Sequence, residues 1–265
     1  MTVPLLAATA PAGPDGAPLL LLGPSLGTSS ILWNRAAELL QRRFRTVSWD
    51  LPGHGRSPKA SEPFTTKELA DGVVNVLDEL GESSALYAGV SLGGAVGLEL
   101  LLAHPGRIDA AAIICSGAVI GTPEAWRERA AAVRAGSTSS LVVPSAQRWF
   151  APQTPARSPE ITGLLLHSLQ DADDASYALC CDALAGYDAR DALPRIRVPV
   201  LAVWGEYDQV TPEASAIEIA SGVPRGTVVE IVGAAHLAAA ERPEDVAAEL
   251  LSFFERVPRS KDGVS

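Results

Sequence analysis

Short runs of apolar residues recur along the chain and alternate with longer stretches compatible with helices. Such runs are typical of strands buried in a parallel sheet with helices on both faces, so the pattern predicts an α/β fold. We predict strands at residues 19–23, 45–49, 85–89, 110–115, 198–204 and 228–232. We predict helices at residues 33–42, 66–80, 92–103, 213–220 and 243–254.

The alternation stops between residues 122 and 191, where helical pieces and proline-rich breaks occur without a convincing buried strand. We therefore predict one core built from residues 1–121 and 192–265, with residues 122–191 inserted as a helical cap. Ligands of open α/β sheets bind at the carboxyl ends of the strands. A cap inserted between two strands is expected to cover that end. The polar tail from residue 257 onward is predicted to be frayed.

Residues 89–94 read Gly-Val-Ser-Leu-Gly-Gly and stand between a predicted strand and a predicted helix. A sharp strand-to-helix turn of this kind presents a serine hydroxyl above the sheet, and glycines relieve crowding around the strained residue. We therefore predict that Ser91 is a nucleophile. The alternative is a glycine-rich turn whose serine has no catalytic role, and only partners elsewhere in the chain distinguish the two.

A nucleophilic serine needs a base and an acid that orients the base, and in this arrangement they follow the serine in the order acid, then histidine. His236, among small residues after the last predicted strand, is the candidate base. Asp208, after the strand at 198–204, is the candidate acid, and Glu206 is the second candidate. The alternatives are an ordinary loop histidine and a carboxylate favoured at a helix N-terminus.

Acyl transfer also needs hydrogen-bond donors for an oxyanion. The backbone N–H of Leu92, directly after the predicted nucleophile, is one candidate. The second is the N–H of Leu26, in the Ser-Leu-Gly-Thr segment that follows the first predicted strand. An ordinary turn after a strand is the alternative for this segment.

The net charge limits the kinds of partner that the protein is expected to bind, and the cysteines indicate its cellular compartment. The net charge of −10 argues against a nucleic-acid partner. Of the three cysteines, Cys180 and Cys181 are adjacent, which disfavours a mutual disulfide or a zinc site and favours a reducing compartment. No run approaches membrane-spanning length, and the apolar residues 3–8 have no basic region before them. We expect a cytoplasmic protein without a membrane partner.

Residues 50–57 read Asp-Leu-Pro-Gly-His-Gly-Arg-Ser and superficially resemble a phosphate-binding loop. They lack the Lys followed by Ser or Thr that such a loop needs. We predict a structural turn that packs against the strand before Ser91.

From residue 19 to about 254 the chain resembles the α/β-hydrolase family. Residues 50–57 resemble the family's Asp-x-x-Gly-His-Gly-x-Ser loop, and the segments around Ser91, Asp208 and His236 occur in the family's order. The resemblance implies an α/β-hydrolase fold, with a mostly parallel central sheet, helices on both faces and an inserted helical cap.

Within the family, the likeness is greatest to the 3-oxoadipate enol-lactonases. It implies hydrolysis of an anionic small molecule, 3-oxoadipate enol lactone, to 3-oxoadipate in aromatic-compound breakdown, through an acyl-enzyme and without a metal or organic cofactor. The segments that carry this likeness are Ser-Leu-Gly-Thr at 25–28, Ile-Gly-Thr at 120–122 leading to Trp126 and Arg129, Arg-Trp-Phe at 148–150, and Tyr177 followed by Cys180 and Cys181.

A carboxylated lactone makes an arginine beside an aromatic ring a sensible binding pair, because guanidinium binds carboxylate through two hydrogen bonds. Arg148 with Trp149 is the first candidate, and Arg129 with Trp126 is the second. For each pair, a surface arginine over a buried tryptophan is the alternative. Two other functions stay open: a broader carboxylesterase or cofactor-free haloperoxidase-like hydrolase, and a ligand-binding module without catalysis. The sequence does not predict the oligomeric state.

Overall fold

The computed structural model describes residues 2–257, whose centre is a six-stranded sheet. Every strand pair in it is parallel, and the strand order is β2-β1-β3-β4-β5-β6. The strands are β1 (Leu19–Gly23), β2 (Arg45–Ser48), β3 (Ala85–Val90), β4 (Ile108–Ile114), β5 (Val200–Gly205) and β6 (Gly226–Ile231).

Helices connect these strands and cover the sheet. Contacts of α1 with α11, and of α2 with α3, mark the two helical layers. The helices are α1 (Asn34–Leu40), α2 (Thr66–Glu79), α3 (Leu92–Ala103), α4 (Pro123–Ala135), α5 (Val142–Trp149), α6 (Thr154–Arg157), α7 (Pro159–Asp171), α8 (Asp174–Ala185), α9 (Glu213–Gly222), α10 (Ala238–Glu241) and α11 (Pro243–Phe254).

The predicted α/β fold is confirmed, and each predicted strand matches an observed one to within two residues at either end. Helix α1 is shorter than predicted, by one residue at its start and two at its end. Before it the chain forms a 3-10 helix, Ser30–Trp33, and the α-helix begins at Asn34. Helix α2 begins as predicted, because the Thr65 side chain accepts from the Glu68 N–H while the Glu68 carboxylate accepts from the Thr65 N–H.

The strand order brings the loops after β1 and β3 together. From β1 the chain moves outward to β2, and from β3 it continues to the other side of the sheet. The point of reversal therefore lies between β1 and β3, where their carboxyl ends open a crevice that open α/β sheets use for ligands. Residues 24–28 leave β1 and Ser91 leaves β3 at this place.

Five helices, α4 to α8, separate β4 from β5. We call residues 122–191 the cap segment, and the division of the chain into a core and a cap stays a prediction. Helices α4 and α8 pack on each other, and the guanidinium of Arg134 pairs with Asp182 across them. The predicted frayed tail, apart from Val257, lies outside the described residues.

Within residues 2–257, no helix is both long enough and apolar enough to cross a membrane. The same part of the chain contains no cluster of three or more His, Cys, Asp or Glu side chains suited to a metal ion. Cys115, Cys180 and Cys181 are buried free thiols.

Candidate active site

Ser91 occupies a strained turn between β3 and α3. Its backbone has φ 55° and ψ −115°, a conformation that non-glycine residues rarely adopt. Neighbouring glycines make room for the turn: a Cβ on Gly89 would lie 2.3 Å from the Gly93 carbonyl oxygen, and a Cβ on Gly93 would lie 2.7 Å from the Pro24 carbonyl oxygen. The turn can form here because both positions are glycine, and a larger residue at either would clash with the backbone.

Asp208 and His236 form a buried hydrogen-bonded pair. The Nδ1 atom of His236 lies 3.0 Å from Oδ2 and 3.2 Å from Oδ1 of Asp208. The two residues are 5% and 2% exposed. Burial opposes charge on Asp208, but His236 and hydrogen bonds from Thr211 outweigh it and hold the pKa of Asp208 below its ordinary value. The carboxylate is thus kept ionised beside the imidazole.

His236 and Ser91 face the same cavity, although no hydrogen bond joins them in the described part of the chain. Such a contact is often long before a substrate is bound and tightens in the reacting complex. Ser91 is 6% exposed, so its hydroxyl is reached only through the cavity. This arrangement suits proton removal from Ser91 by the second nitrogen of His236. Glu206, the second candidate acid, instead accepts a hydrogen bond from the Gly233 N–H.

The N–H groups of Leu26 and Leu92, the two predicted oxyanion donors, donate to no acceptor among residues 2–257. Leu26 lines the cavity with Ser91 and His236. Leu92 is the first residue of α3 and is fully buried. Two N–H groups without protein acceptors are compatible with the predicted role of oxyanion donors, which stays a prediction.

The loop at residues 50–57 does not pack where the sequence analysis placed it. Strand β1 separates β2 from the strand of Ser91, so the loop reaches the segment after β1 instead. His54 Nε2 accepts from the Gly27 N–H at 3.2 Å, and Nδ1 lies 2.8 Å from the Pro52 carbonyl oxygen. Asp50 accepts from the N–H of Ser30 at 2.6 Å. The loop therefore supports the segment that carries Leu26.

A cavity of about 180 Å³ brings the predicted substrate residues to the predicted nucleophile. Arg129 and Arg148 both line it, and neither forms an ion pair within the described residues. The Arg129 guanidinium lies 5.4 Å from the centre of the Trp126 ring, and Arg148 Nε donates to the carbonyl of Pro144 in its own helix. The other residues around the cavity are Ser25, Leu26, Ser91, Ile120, Gly121, Ala125, Trp126, Trp149, Val210 and His236.

A larger cavity of about 820 Å³ lies at the opposite end of the strands, beside the first residues of β1 and β3. None of the residues predicted for the site contributes to it. The smaller cavity is therefore the candidate active site, because it contains both the strained serine and the buried imidazole.

Three residues that were not predicted from the sequence hold this site in place. Ser116 Oγ donates to the Ser91 carbonyl at 2.7 Å, and Thr211 Oγ1 donates to Asp208 at 2.8 Å. Glu241 accepts from the Ala235 N–H, next to His236. Thr211, three residues after an aspartate, has spacing typical of a local side-chain turn and was within reach of sequence reasoning. The contacts of Ser116 and Glu241 depend on the folded chain.

Comparison with known proteins agrees with this geometry. The pattern of the alpha/beta hydrolase family matches residues 19–249. The chain belongs to the alpha/beta hydrolase family. It is 33% identical to 3-oxoadipate enol-lactonase 2 of Acinetobacter baylyi over 86% of this chain and 85% of that protein.

A solved structure extends the similarity across the fold. The enol-lactonase of Burkholderia xenovorans LB400 superposes with a TM-score of 0.91 at 29% identity, covering 95% of this chain and 96% of that one. A carboxylesterase of Bacillus subtilis is 28% identical over 91% of this chain and 82% of that protein. The family and these relatives identify an alpha/beta hydrolase of the esterase and lactonase type.

Proposed function

We propose that this alpha/beta hydrolase opens a small carboxylated enol lactone, 3-oxoadipate enol lactone, by a serine acyl-enzyme mechanism. The observation that carries the proposal is the pair of arginines, Arg129 and Arg148, in the cavity that contains Ser91 and His236. A cavity built for an uncharged ester has no need of two guanidinium groups without carboxylate partners. Similarity to two enol-lactonases supports the same substrate.

The first step is attack of Ser91 Oγ on the lactone carbonyl carbon. His236 takes the hydroxyl proton as the Oγ–C bond forms, and the Asp208 carboxylate holds the imidazole in the required tautomer and stabilises its positive charge. The carbonyl oxygen becomes an oxyanion, which accepts hydrogen bonds from the N–H groups of Leu26 and Leu92.

The second step breaks the bond between the acyl carbon and the ring oxygen. The ring oxygen leaves as an enol after it receives the proton from His236, and the enol tautomerises to a ketone. Water, deprotonated by His236, then attacks the acyl-enzyme and releases the new carboxylate together with the Ser91 hydroxyl. The reaction balances, because one lactone and one water give one 3-oxoadipate, and no step uses a cofactor.

Recognition of the substrate carboxylate is assigned to the cap segment. Guanidinium groups bind carboxylates through paired hydrogen bonds, and the rings of Trp126 and Trp149 offer apolar surface for the lactone. Both arginines extend from helices that reach the cavity, Arg129 from α4 and Arg148 from α5.

Arginine variants assayed on a charged and a neutral substrate test the proposal. We expect Arg129→Gln or Arg148→Gln to raise the KM for the enol lactone about tenfold or more, since a hydrogen bond to a charged group contributes about 1.5–3 kcal/mol. Neither change should affect the KM of a neutral ester of similar size. Arg127→Gln is the matched control for Arg129→Gln, because Arg127 is on the same helix, α4, but pairs with Glu124 at 3.7 Å.

Two results would contradict the proposal. One is an unchanged KM for the lactone in both arginine variants. The other is faster turnover of the neutral ester than of the lactone by the unmodified protein. The second result favours the alternative of a broader carboxylesterase, for which the Bacillus subtilis relative is the supporting observation.

A further inference from the structure

Glu241 is a buried carboxylate that takes no part in the proposed chemistry. It ends the short helix α10, whose other residues are alanines, and it is only 7% exposed. Burying a carboxylate is unfavourable unless hydrogen bonds replace the lost water. It lies five residues after His236, which belongs to the loop between β6 and α10, residues 232–237. We call this segment the catalytic loop.

The carboxylate joins the cap segment to the loop that carries His236. Its Oε2 atom accepts from the Ala151 N–H at 2.7 Å and from the Thr154 hydroxyl at 2.6 Å, both in the cap segment. Its Oε1 atom accepts from the Ala235 N–H at 2.8 Å, directly before His236. One side chain thus spans two parts of the chain that are far apart in sequence.

A second link reinforces the first on the other side of His236. The N–H of Leu237 donates to the carbonyl of Trp149 at 3.2 Å. The Trp149 ring lines the cavity and lies against the backbone of Gly27, where an added Cβ would be 3.2 Å from the ring. The two neighbours of His236 are therefore both linked to the cap segment. Ala235 is linked through Glu241, and Leu237 is linked directly to Trp149.

We propose that Glu241 is a positioning residue that couples the cap segment to His236, so that the position of the imidazole depends on how the cap segment is seated. The inference rests on the proposed roles of Ser91 and His236. Trp149 contacts the cavity as well as the catalytic loop, so a ligand held there acts on the same backbone that holds His236. Substrate binding at the cap segment then favours the geometry in which His236 takes the Ser91 proton.

A substitution at Thr154 removes one hydrogen bond between the cap segment and Glu241 without changing any residue of the catalytic loop. Thr154→Val keeps the shape of the side chain but removes the hydroxyl that donates to Glu241. Thr162→Val is the matched control, because Thr162 is also a buried cap threonine, 7% exposed against 8%, but donates to Ser158 within its own segment. Thr154→Ser restores a hydroxyl.

The measurement is the second-order rate at which a serine-reactive phosphonate labels Ser91, followed by mass spectrometry. We expect Thr154→Val to slow labelling about tenfold, because a displacement of about 1 Å in a reacting group can cost a hundredfold in rate. Thr162→Val and Thr154→Ser should label within about twofold of the unmodified protein. For the lactone, Thr154→Val should lower kcat and leave KM unchanged.

Equal labelling rates for Thr154→Val and Thr162→Val would overturn the coupling while leaving the proposed function intact. A Thr154→Ser protein as slow as Thr154→Val would also overturn it, since the hydroxyl would then not be the cause. Failure of the unmodified protein to label at Ser91 would overturn the proposed function and this inference together.

Discussion

Ser91 is held in a backbone conformation that costs about 1–3 kcal/mol for a non-glycine residue. Three hydrogen bonds restrain it: its N–H donates to the Ile114 carbonyl at 2.9 Å, and its own carbonyl accepts from Ser116 Oγ at 2.7 Å and from the Ala95 N–H at 3.0 Å. The strain lifts the hydroxyl out of the strand and into the cavity. Such strain persists only where the surrounding structure enforces it, and here it aims the proposed nucleophile.

The position of this serine was predictable from sequence because the constraint is local. A sharp turn between a strand and a helix leaves no space for side chains at Gly89 and Gly93, and the glycines are visible in the sequence. Glu241 was not predictable. Its partners, Ala151 and Thr154, are far from it in sequence and are brought to it by the fold, so nothing in the local sequence indicates them.

At the residue scale, Asp208→Asn should lower kcat for the proposed substrate by about 10⁴-fold, because an amide in place of the carboxylate favours the wrong imidazole tautomer. The measurement is steady-state hydrolysis of the enol lactone. Glu206→Gln is the control, since Glu206 binds the Gly233 N–H rather than His236. A large loss in Glu206→Gln with little loss in Asp208→Asn would show that the second candidate is the acid.

At the scale of elements, the loop at 50–57 supports the loop after β1. His54 is fully enclosed, and burial lowers the pKa of its imidazole, which therefore stays neutral and keeps one nitrogen free to accept the Gly27 N–H. Its ring also stacks on Tyr177, with ring centres 6.0 Å apart. The structural role of this loop was predicted from its sequence, but the predicted partner, the strand before Ser91, was wrong, because the motif does not reveal which segment the folded loop will contact.

His54→Phe should lower kcat for the lactone about tenfold and the free energy of unfolding by about 1–3 kcal/mol, because the Gly27 N–H would remain buried without an acceptor. His54→Gln returns an acceptor oxygen and should recover part of both losses. Urea unfolding and steady-state kinetics measure the two effects. Wild-type kcat in His54→Phe would contradict a role for this hydrogen bond in placing the Leu26 N–H.

For the whole molecule, hydrophobic patterning predicted the order and approximate bounds of the strands, since buried parallel strands are apolar throughout. It also predicted that residues 122–191 would be helical. The pattern could not predict how the cap segment packs against the rest of the chain. That packing depends on individual hydrogen bonds, such as the Leu237 N–H to the Trp149 carbonyl and the Asp173 N–H to the Gly53 carbonyl.

The molecule as a whole carries a net charge of −10, yet its proposed substrate is an anion. Long-range attraction therefore does not favour binding, and recognition has to come from the local positive charge of Arg129 and Arg148. In the proposed function, the cap segment selects a carboxylated lactone, and Ser91, at the carboxyl end of β3, opens it.

Hydrolysis of freshly prepared 3-oxoadipate enol lactone by the unmodified protein and by Ser91→Ala tests this account most directly. We predict turnover well above the uncatalysed rate in the unmodified protein, and a kcat at least about 10⁴-fold lower in Ser91→Ala, because loss of the nucleophile leaves only binding and oxyanion stabilisation. A Ser91→Ala protein that opens the lactone as fast as the unmodified one would contradict the account, as would an unmodified protein that leaves the lactone at its background rate.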